Sequence, residues 1–307
     1  LKAMPAGLLD DVFGIKRQGR GKAQQAEVSL QGVLGATPLD MKLQTRIDPD
    51  VRANGARALG AVGDVPVGLV NQFGKGQAVL LNFQLVTAKE EDQQAADMRQ
   101  LLAALYRFGK TQPPVGVASP EGAPLPATET RVWRDGDALV FGMWRQMRNA
   151  WFSPKSGTTA GEPVAARVTL PGQYHVYDLR NGKYLGTPRS FDTRLRWGRA
   201  NFFLASPYPL KGMKVALNSS TPKRGQTVTA TVSLPLPPQA KEKQTVYVQV
   251  FTPAGDQPLW GRSVAVLKNG RAQVQVPVAY NDAAGQWRLK ATEPFSRMSA
   301  EATWKVQ

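Results

Sequence analysis

The sequence contains no cysteine and only one histidine, His175. The lack of cysteine excludes disulfide bonds, thiolate metal sites and catalysis by a cysteine nucleophile. With one histidine, a Ser-His-Asp triad or a histidine-rich metal site would have to use His175. This residue lies between Tyr174 and Val176 in a strand-like sequence, where a lone histidine is more often structural. We therefore expect it to have no catalytic role and expect no metal or other cofactor.

Long hydrophobic runs are also missing. The longest runs, such as Ala78-Val79-Leu80-Leu81, are far shorter than the roughly 20 apolar residues that cross a bilayer. We expect no membrane span. Residue 1 is a leucine, and no charged-then-apolar signal segment follows it, so we expect a processed chain or a part of a longer one. Apolar residues are 42% of the 307 positions, which is typical of a folded protein.

Acidic residues are few relative to basic ones, and the net charge is +16. Residues 111–214 alone hold 14 basic and 7 acidic residues. A basic surface attracts polyanions such as nucleic acid, anionic lipid or acidic polysaccharide. The like charges are dispersed and form no run of five or more, so a merely solvated surface is the alternative interpretation. We expect no specific nucleic acid partner.

Residues 1–112 contain a β-hairpin signal. Two predicted strands, Val67–Phe73 and Gln77–Phe83, flank the short glycine-containing turn Gly74-Lys75-Gly76. A single long helix is predicted after this hairpin, which is too few for a complete doubly wound domain. The segment is therefore either α+β, or its first βαβ units lie upstream of residue 1.

Two helices are predicted in the same segment. Leu8–Phe13 is a candidate helical turn that ends at Gly14. The longer helix follows a capping box formed by Thr87 and Glu90, continues with apolar residues at helical spacing and ends at Gly109.

The rest of the sequence predicts two β-sandwiches. Gln112-Pro113-Pro114 interrupts the pattern, and Pro207-Tyr208-Pro209 marks a second boundary. Many short strands with glycine turns over residues 113–210 indicate an aromatic-rich sandwich. About seven alternating strands over residues 211–307 are typical of an immunoglobulin-like sandwich.

Two stretches resemble a known family. Leu8–Ile15 and Val70–Phe83 together resemble the trimerisation domain of family 42-type β-galactosidases, a flavodoxin-like domain related to class I glutamine amidotransferases. In those enzymes this domain follows the catalytic barrel and precedes a β-rich domain. Tyr177–Gly186 is similar to the C-terminal sandwiches of such hydrolases, and Asn281–Leu289 is similar to the closing strands of bacterial immunoglobulin-like accessory domains.

The resemblance implies the class of fold and the function. The expected fold is multidomain and mainly β, with a partial flavodoxin-like α/β segment followed by two β-sandwiches, the last immunoglobulin-like. The expected function is a non-catalytic accessory or assembly region of a secreted glycoside hydrolase, in the cell envelope, periplasm or outside the cell. Its expected partners are a catalytic barrel upstream in the same polypeptide, further copies of the chain in a homo-oligomer, and a polysaccharide.

Catalysis by this chain is not expected. Glycoside hydrolysis needs two carboxyl groups flanking the scissile bond on a rigid scaffold. The acidic pairs at Asp10-Asp11 and Glu90-Glu91 begin predicted helices, where the helix dipole explains them. Two alternatives stay open, a stand-alone carbohydrate- or polyanion-binding module and a structural cell-envelope protein.

Aromatic residues are concentrated in the second segment, where 13 fall between positions 133 and 208. Most are expected in the core, because a sandwich interior needs large side chains. Two stretches, 144–151 and 194–199, mix aromatics with basic residues instead. For an acidic glycan, arginine would pair with carboxylate or sulfate and tryptophan would stack on the sugar. The candidate ligand-binding residues are Arg145, Arg148, Trp151, Arg196 and Trp197.

Overall fold

The computed structural model describes residues 7–19, 21–34, 36–85, 93–125, 127–145 and 162–307. Strands predominate, which confirms the predicted mainly β, multidomain class. The chain divides between Pro113 and Pro114 into two compact units. No helix in the described ranges is long and apolar enough to cross a membrane.

The first unit combines hairpins with one long helix. Its elements are α1 Asp10–Phe13, β1 Ile15–Arg17, β2 Gln24–Leu34, β3 Thr37–Ile47, β4 Val51–Ala53, β5 Arg57–Val62, β6 Val65–Phe73, β7 Gly76–Leu81 and α2 Gln93–Phe108. Strands β2 and β3 form one ribbon, β5, β6 and β7 form a sheet in that order, and β1 pairs with β4.

Alternation along β3 explains how this unit forms its core. Leu39, Met41 and Leu43 are buried, while the intervening Asp40 and Lys42 are exposed. Because successive side chains of a strand point to opposite faces, β3 presents one apolar face. Helix α2 packs Met98, Leu101 and Ala104 into the same hydrophobic cluster.

Several predictions for the first unit are confirmed. The hairpin is formed by β6 and β7, and both predicted helices are present, the first ending immediately before Gly14. The capping box at Thr87 and Glu90 lies outside the described residues.

The flavodoxin-like expectation for residues 1–112 is corrected. All strand pairings described in this unit are antiparallel, whereas a flavodoxin-like domain is built on a parallel sheet. Parallel neighbours need a long crossover, usually helical, between strands. The short connection between β6 and β7 makes these strands antiparallel. Of the two arrangements that the sequence left open, the described residues show an α+β one.

The second unit begins with a two-sheet sandwich, here called the aromatic sandwich (residues 116–206). Its strands are β8 Gly116–Ala118, β9 Thr128–Asp135, β10 Ala138–Arg145, β11 Val164–Thr169, β12 His175–Asp178, β13 Lys183–Gly186, β14 Ser190–Leu195 and β15 Asn201–Ser206. A five-stranded sheet has the order β13-β12-β15-β10-β9 and faces the three-stranded sheet β14-β11-β8. In the core between these two sheets, the rings of Phe141 and Phe203 stack with their centres 5.4 Å apart.

A second sandwich follows, here called the C-terminal sandwich (residues 214–306). Its strands are β16 Lys214–Leu217, β17 Thr227–Ser233, β18 Gln244–Phe251, β19 Arg262–Leu267, β20 Arg271–Pro277, β21 Gly285–Thr292 and β22 Ser299–Val306. Sheets of three (β16-β17-β20) and four (β19-β18-β21-β22) antiparallel strands agree with the predicted immunoglobulin-like arrangement.

The two sandwiches share a core. Tyr208, Leu210 and Met213, from the segment that joins them, are buried in one cluster with Leu204 of β15 and with the interior of the C-terminal sandwich. The Tyr177 hydroxyl accepts a hydrogen bond from the Leu210 amide at 2.7 Å.

A buried carboxylate, Glu242, ties the sandwiches together. Its oxygens accept hydrogen bonds from the Asp137 amide and from the Tyr208 hydroxyl, both at 2.9 Å, and from the Lys241 amide at 3.0 Å. Burial would raise the pKa of Glu242, but these donors, the Asp137 amide foremost, lower it below the usual value. Burial and the nearby carboxylate raise the pKa of Tyr208 well above that of a free tyrosine.

Candidate functional site

The outer surface of the five-stranded sheet carries exposed aromatic side chains. Trp133 of β9 is 50% exposed, Phe202 of β15 is 41% exposed, and Trp144 of β10 is half-buried. Because side chains alternate along a strand, these three lie on the face opposite to the core residues Phe141 and Phe203. We call Trp133, Trp144 and Phe202 the aromatic face.

The aromatic face exists because the C-terminal sandwich covers only part of this sheet. Ala138, Val140 and Leu204 lie on the same outer surface and pack into the core shared with the C-terminal sandwich. Farther along the same strands, the covering ends and Trp144 and Phe202 come to the surface. The open area is therefore a continuation of a buried, apolar surface.

A glycine gives this face its shape. Gly142 pairs in register with Phe202, and a Cβ atom at position 142 would lie 2.8 Å from the Phe202 ring. The missing side chain thus lets the ring lie close to strand β10. The resulting depression has a volume of about 260 Å³, and it is lined by Glu129, Arg131, Trp133, Gly142, Trp144, Ala200 and Phe202.

Charged groups border the aromatic residues. Glu129 and Arg131 lie on the same face of β9 as Trp133 and form an ion pair with each other. Both side chains are exposed. The face therefore combines flat apolar surface with a hydrogen-bond acceptor and a hydrogen-bond donor.

Two predicted ligand-binding residues, Arg145 and Trp197, contact each other. Arg145 is only 7% exposed, and its guanidinium carbon lies 4.1 Å from the centre of the Trp197 ring. This distance is that of a cation–π contact. The Gly198 amide also donates to the Arg145 carbonyl at 3.0 Å. The pair thus anchors the β14–β15 connection to the end of β10, and we assign it a supporting role.

Arg196 lies in a second concavity, the arginine cleft, with a volume of about 230 Å³. Its lining residues are Arg180, Asn181, Thr193, Arg194, Arg196, Arg199 and Asn201. Arg148 and Trp151, the other two predicted ligand-binding residues, lie outside the described residues.

A tight turn brings two of these arginines side by side. The Arg199 amide donates to the Arg196 carbonyl at 3.4 Å, and Gly198 adopts a φ of +63°, which favours glycine. Arg194 and Arg196 flank the buried Leu195 at the end of β14, and both side chains are exposed. Arg180 enters from the β12–β13 turn and donates to the Ala200 carbonyl.

Sequence reasoning did not single out the aromatic face. Trp133 and Phe202 belong to an aromatic set that was expected mainly in the core, whereas Trp144 lies in the stretch 144–151 that was set apart from it. The alternation of residues along β9 could have revealed it. Trp133 shares its strand face with Glu129 and Arg131, and a face that carries charged residues is normally exposed to solvent. The arginine cleft is harder to find in the sequence, because Arg180 comes from a separate turn and is not adjacent to Arg194, Arg196 and Arg199.

His175 packs against a neighbouring tyrosine and forms no part of either concavity. Its Nδ1 atom lies 2.7 Å from the Tyr184 hydroxyl, and the two rings stack. Partial burial, with a smaller effect of the Lys211 charge, lowers the pKa of His175. Within the described ranges, no group of three or more histidine, aspartate and glutamate side chains is arranged to hold a metal ion.

Comparisons with known proteins give distant likenesses only. No protein-family model matches the chain, and no curated protein matches it either. A β-glycosidase from Bacteroides vulgatus is 9% identical, with 62% of this chain and 28% of that chain covered and a TM-score of 0.25. A putative β-galactosidase from Bacteroides fragilis is 10% identical, with 58% and 41% covered and a TM-score of 0.19.

A third solved structure, the Salmonella α-2-macroglobulin reacted with methylamine, is 10% identical, with 94% of this chain and 22% of that chain covered and a TM-score of 0.21. This chain therefore spans less than half the length of each of these proteins. The two glycosidase likenesses fit a glycoside hydrolase-related region only loosely. At these TM-scores, none of the three carries an argument about fold or function.

Proposed function

We propose that this chain is a non-catalytic, carbohydrate-binding accessory region of a secreted glycoside hydrolase, and that the aromatic face is its binding surface. The observation that carries the proposal is the exposure of Trp133, Trp144 and Phe202 on one open sheet surface. Large apolar side chains are normally withdrawn from water, and a contiguous exposed set is typical of an interaction site.

The chemistry of the aromatic face suits a sugar. A pyranose ring presents C–H groups on its flat faces, and these stack on aromatic rings such as those of Trp133 and Phe202. Its hydroxyl groups both donate and accept hydrogen bonds, which matches the adjacent Glu129 and Arg131. The β-sheet holds these side chains in fixed relative positions, so little conformational entropy is lost on binding.

The link to a glycoside hydrolase rests on the sequence resemblance of Tyr177–Gly186 to the C-terminal sandwiches of such hydrolases, because the described part of residues 1–112 lacks the parallel sheet of the trimerisation domain. It assigns the chemistry to a catalytic barrel elsewhere in the polypeptide and leaves this chain a targeting and assembly role. Assembly into a homo-oligomer stays a prediction for residues 1–112, and sedimentation equilibrium of the purified chain measures it directly.

The binding proposal is tested with one variant and a closely matched control. Trp133→Ala removes the most exposed ring of the aromatic face, and Trp260→Ala removes a ring of equal exposure, 51%, from the C-terminal sandwich. Affinity electrophoresis through gels containing soluble plant and bacterial polysaccharides measures retardation of each protein. We expect Trp133→Ala to weaken binding about tenfold or more, as for a central aromatic anchor, and Trp260→Ala to leave it unchanged.

Three outcomes would contradict the proposal. Equal retardation of Trp133→Ala and the wild type would show that the aromatic face is not the binding surface. Equal loss in both variants would indicate a non-specific effect of removing tryptophan. A wild-type chain that none of the polysaccharides retards would favour the structural cell-envelope role instead.

A further inference from the structure

We infer that the arginine cleft is an anion subsite of this binding surface, which makes the preferred ligand an acidic polysaccharide carrying carboxylate or sulfate groups. The inference rests on the proposed carbohydrate-binding function and names the class of its ligand. It depends on four guanidinium groups, those of Arg180, Arg194, Arg196 and Arg199, that line one concavity.

The described residues that line the cleft carry charge of one sign, since several are arginine and none of them is acidic. Asp178 is close in sequence, but both of its oxygens are engaged by Asn181, which donates its amide at 3.0 Å and its side-chain Nδ2 at 2.7 Å. A cleft lined by one sign of charge focuses the electrostatic field and concentrates ions of the opposite sign.

Three of the guanidinium groups have no partner within the described part of the chain. Within the described residues, no ion pair or hydrogen bond engages the guanidinium group of Arg194, Arg196 or Arg199. By contrast, Arg167 of the neighbouring strand β11 forms a two-pronged ion pair with Asp192 at 2.8 and 3.1 Å. The planar guanidinium fork matches the spacing of carboxylate and sulfate oxygens. An oxyanion in the cleft would satisfy these donors and relieve the repulsion among them.

The backbone around the cleft is held in place. Asn201 donates its side-chain Nδ2 to the Arg194 carbonyl at 3.0 Å, which ties β15 to β14 beside the cleft. Trp197, at the centre of the turn between Arg196 and Arg199, is fixed over the buried Arg145. The arginine side chains thus project from a braced frame, which lowers the entropic cost of binding an anion.

The cleft and the aromatic face border each other. Ala200 lines the depression of the aromatic face, and its neighbours Arg199 and Asn201 line the arginine cleft. The two concavities are therefore lined by consecutive residues of the chain, and this adjacency is the reason for assigning both to one polymer. Single-stranded nucleic acid also combines stacking with anionic groups. The carboxylate of Glu129 on the aromatic face favours a sugar, because it accepts hydrogen bonds from the several hydroxyl groups that each pyranose ring carries.

The test uses polysaccharides in matched charged and neutral forms. Polygalacturonate is paired with its methyl ester, and dextran sulfate is paired with dextran, so that carboxylate and sulfate are examined separately. Single-stranded DNA is the comparison polyanion. Titration calorimetry at low and high salt measures the wild type, the double variant Arg194→Gln/Arg196→Gln, the control Arg46→Gln/Arg271→Gln and Trp133→Ala. Both control arginines are exposed and lie in other parts of the chain.

We expect the wild type to bind at least one charged form about tenfold or more tightly than its neutral partner, and the difference to shrink at high salt. The Arg194/Arg196 variant should lose this difference, while the Arg46/Arg271 control, with the same net charge, should keep it. Trp133→Ala should weaken binding of the charged and neutral forms alike. The form preferred, polygalacturonate or dextran sulfate, identifies the acidic group.

The inference is overturned if charged and neutral forms bind equally, if neither charged polymer binds, or if the Arg194/Arg196 variant behaves like its control. Tighter binding of single-stranded DNA than of either acidic polysaccharide would also overturn it and would identify the cleft as a nucleic acid site. If Trp133→Ala alone loses binding, the proposed carbohydrate function stands and the anion subsite fails. If only the arginine variant loses binding, the subsite stands and the aromatic face fails.

Discussion

The two sandwiches of the second unit use tryptophan in opposite ways. In the C-terminal sandwich, Trp304 is 2% exposed and stacks on Trp287 at a ring distance of 6.2 Å, so both contribute to the core. In the aromatic sandwich, Trp133 is half-exposed on the outer sheet surface. The same residue type therefore stabilises one domain and is available for binding on the other.

The neighbours on the same face of the strand explain the difference. Trp304 shares its face of β22 with Ala302 and Val306, which is an apolar row that must be buried. Trp133 shares its face of β9 with Glu129 and Arg131, which are charged and stay in water. For Trp133 and Trp304, the residues two positions away on the same face thus account for the difference in exposure.

Alanine substitution of these tryptophans should give the largest difference between the two sandwiches. Trp304→Ala leaves a large cavity in the core and should lower the free energy of unfolding by about 3–5 kcal/mol. Trp133→Ala removes an exposed ring and should lower it by under about 1 kcal/mol. Urea denaturation followed by circular dichroism measures both values.

A milder substitution sharpens the same comparison. The Nε1 group of Trp304 is buried and has no hydrogen-bond partner within the described residues. Trp304→Phe keeps much of the ring volume and removes this unpaired donor, so it should cost clearly less than Trp304→Ala. Equal losses for the two variants would indicate that ring volume does not determine the stability of this core.

Removal of the Glu242 carboxylate should have the next largest effect, because Glu242 joins the two sandwiches. Glu242→Ala leaves the Tyr208 hydroxyl and the Asp137 amide without their shared acceptor and should cost about 1–3 kcal/mol. Glu242→Gln keeps one acceptor oxygen and should cost less. Glu301→Gln, which removes an exposed ion pair with Arg288, is the control and should change stability by under about 1 kcal/mol.

The same carboxylate predicts a dependence on pH. Since folding lowers the pKa of Glu242, its stabilising contribution is present above the carboxyl's usual pKa and is lost as the pH falls through the folded-state value. The wild type should therefore lose more stability on acidification than Glu242→Gln does. Parallel pH profiles for the two proteins would show that Glu242 is not responsible.

Gly142→Ala separates binding from stability on the aromatic face. The added methyl group should displace the Phe202 ring and weaken glycan binding several-fold, while the free energy of unfolding changes by about 1 kcal/mol or less. Gly116→Ala in β8 is the control, because its nearest contact would be an ordinary 3.5 Å. Calorimetric binding and denaturation are measured on both. Unchanged glycan affinity in Gly142→Ala would exclude the Phe202 ring position as a determinant.

His175 should give the smallest effect. Its folded-state pKa is lowered, so the unfolded chain binds a proton more readily, and stability should decrease slightly as the pH falls through the usual histidine range. His175→Gln should remove this part of the pH dependence of stability. The loss of stability at acidic pH that Glu242 causes should remain. Thermal denaturation between pH 5 and 8 measures it, and an identical profile for the variant would contradict the assignment.

Regular patterns in the sequence were sufficient to predict much of the fold. The hairpin around Gly74-Lys75-Gly76, the long helix that ends before Gly109, and the alternating strands of the C-terminal sandwich all depend on local spacing. The ribbon of β2 and β3 was not predicted, although the alternation of Leu39, Met41 and Leu43 with polar residues was visible. Its pairing partner and its contact with α2 depend on tertiary packing.

The candidate site was less accessible to sequence reasoning. Arg196 was predicted as a ligand-binding residue from the stretch 194–199 alone, but its neighbour Arg180 comes from a turn 16 positions earlier and meets it only after folding. Arg145 and Trp197 looked like surface ligands because each stands among polar residues. The structure instead pairs them with each other, since the parity of β10 directs Arg145 opposite to Trp144.

The burial of Tyr208, Leu210 and Met213 has a practical consequence for dissecting the protein. A cut near residue 210 would split a continuous interior and leave apolar surface on both fragments, including Leu204 on one side and Val232 on the other. The connection that contains Pro207 and Pro209 is therefore part of a core common to both sandwiches, and it does not act as a hinge. Residues 114–307 should melt in a single cooperative transition, and proteases should find no early cleavage point between the two sandwiches.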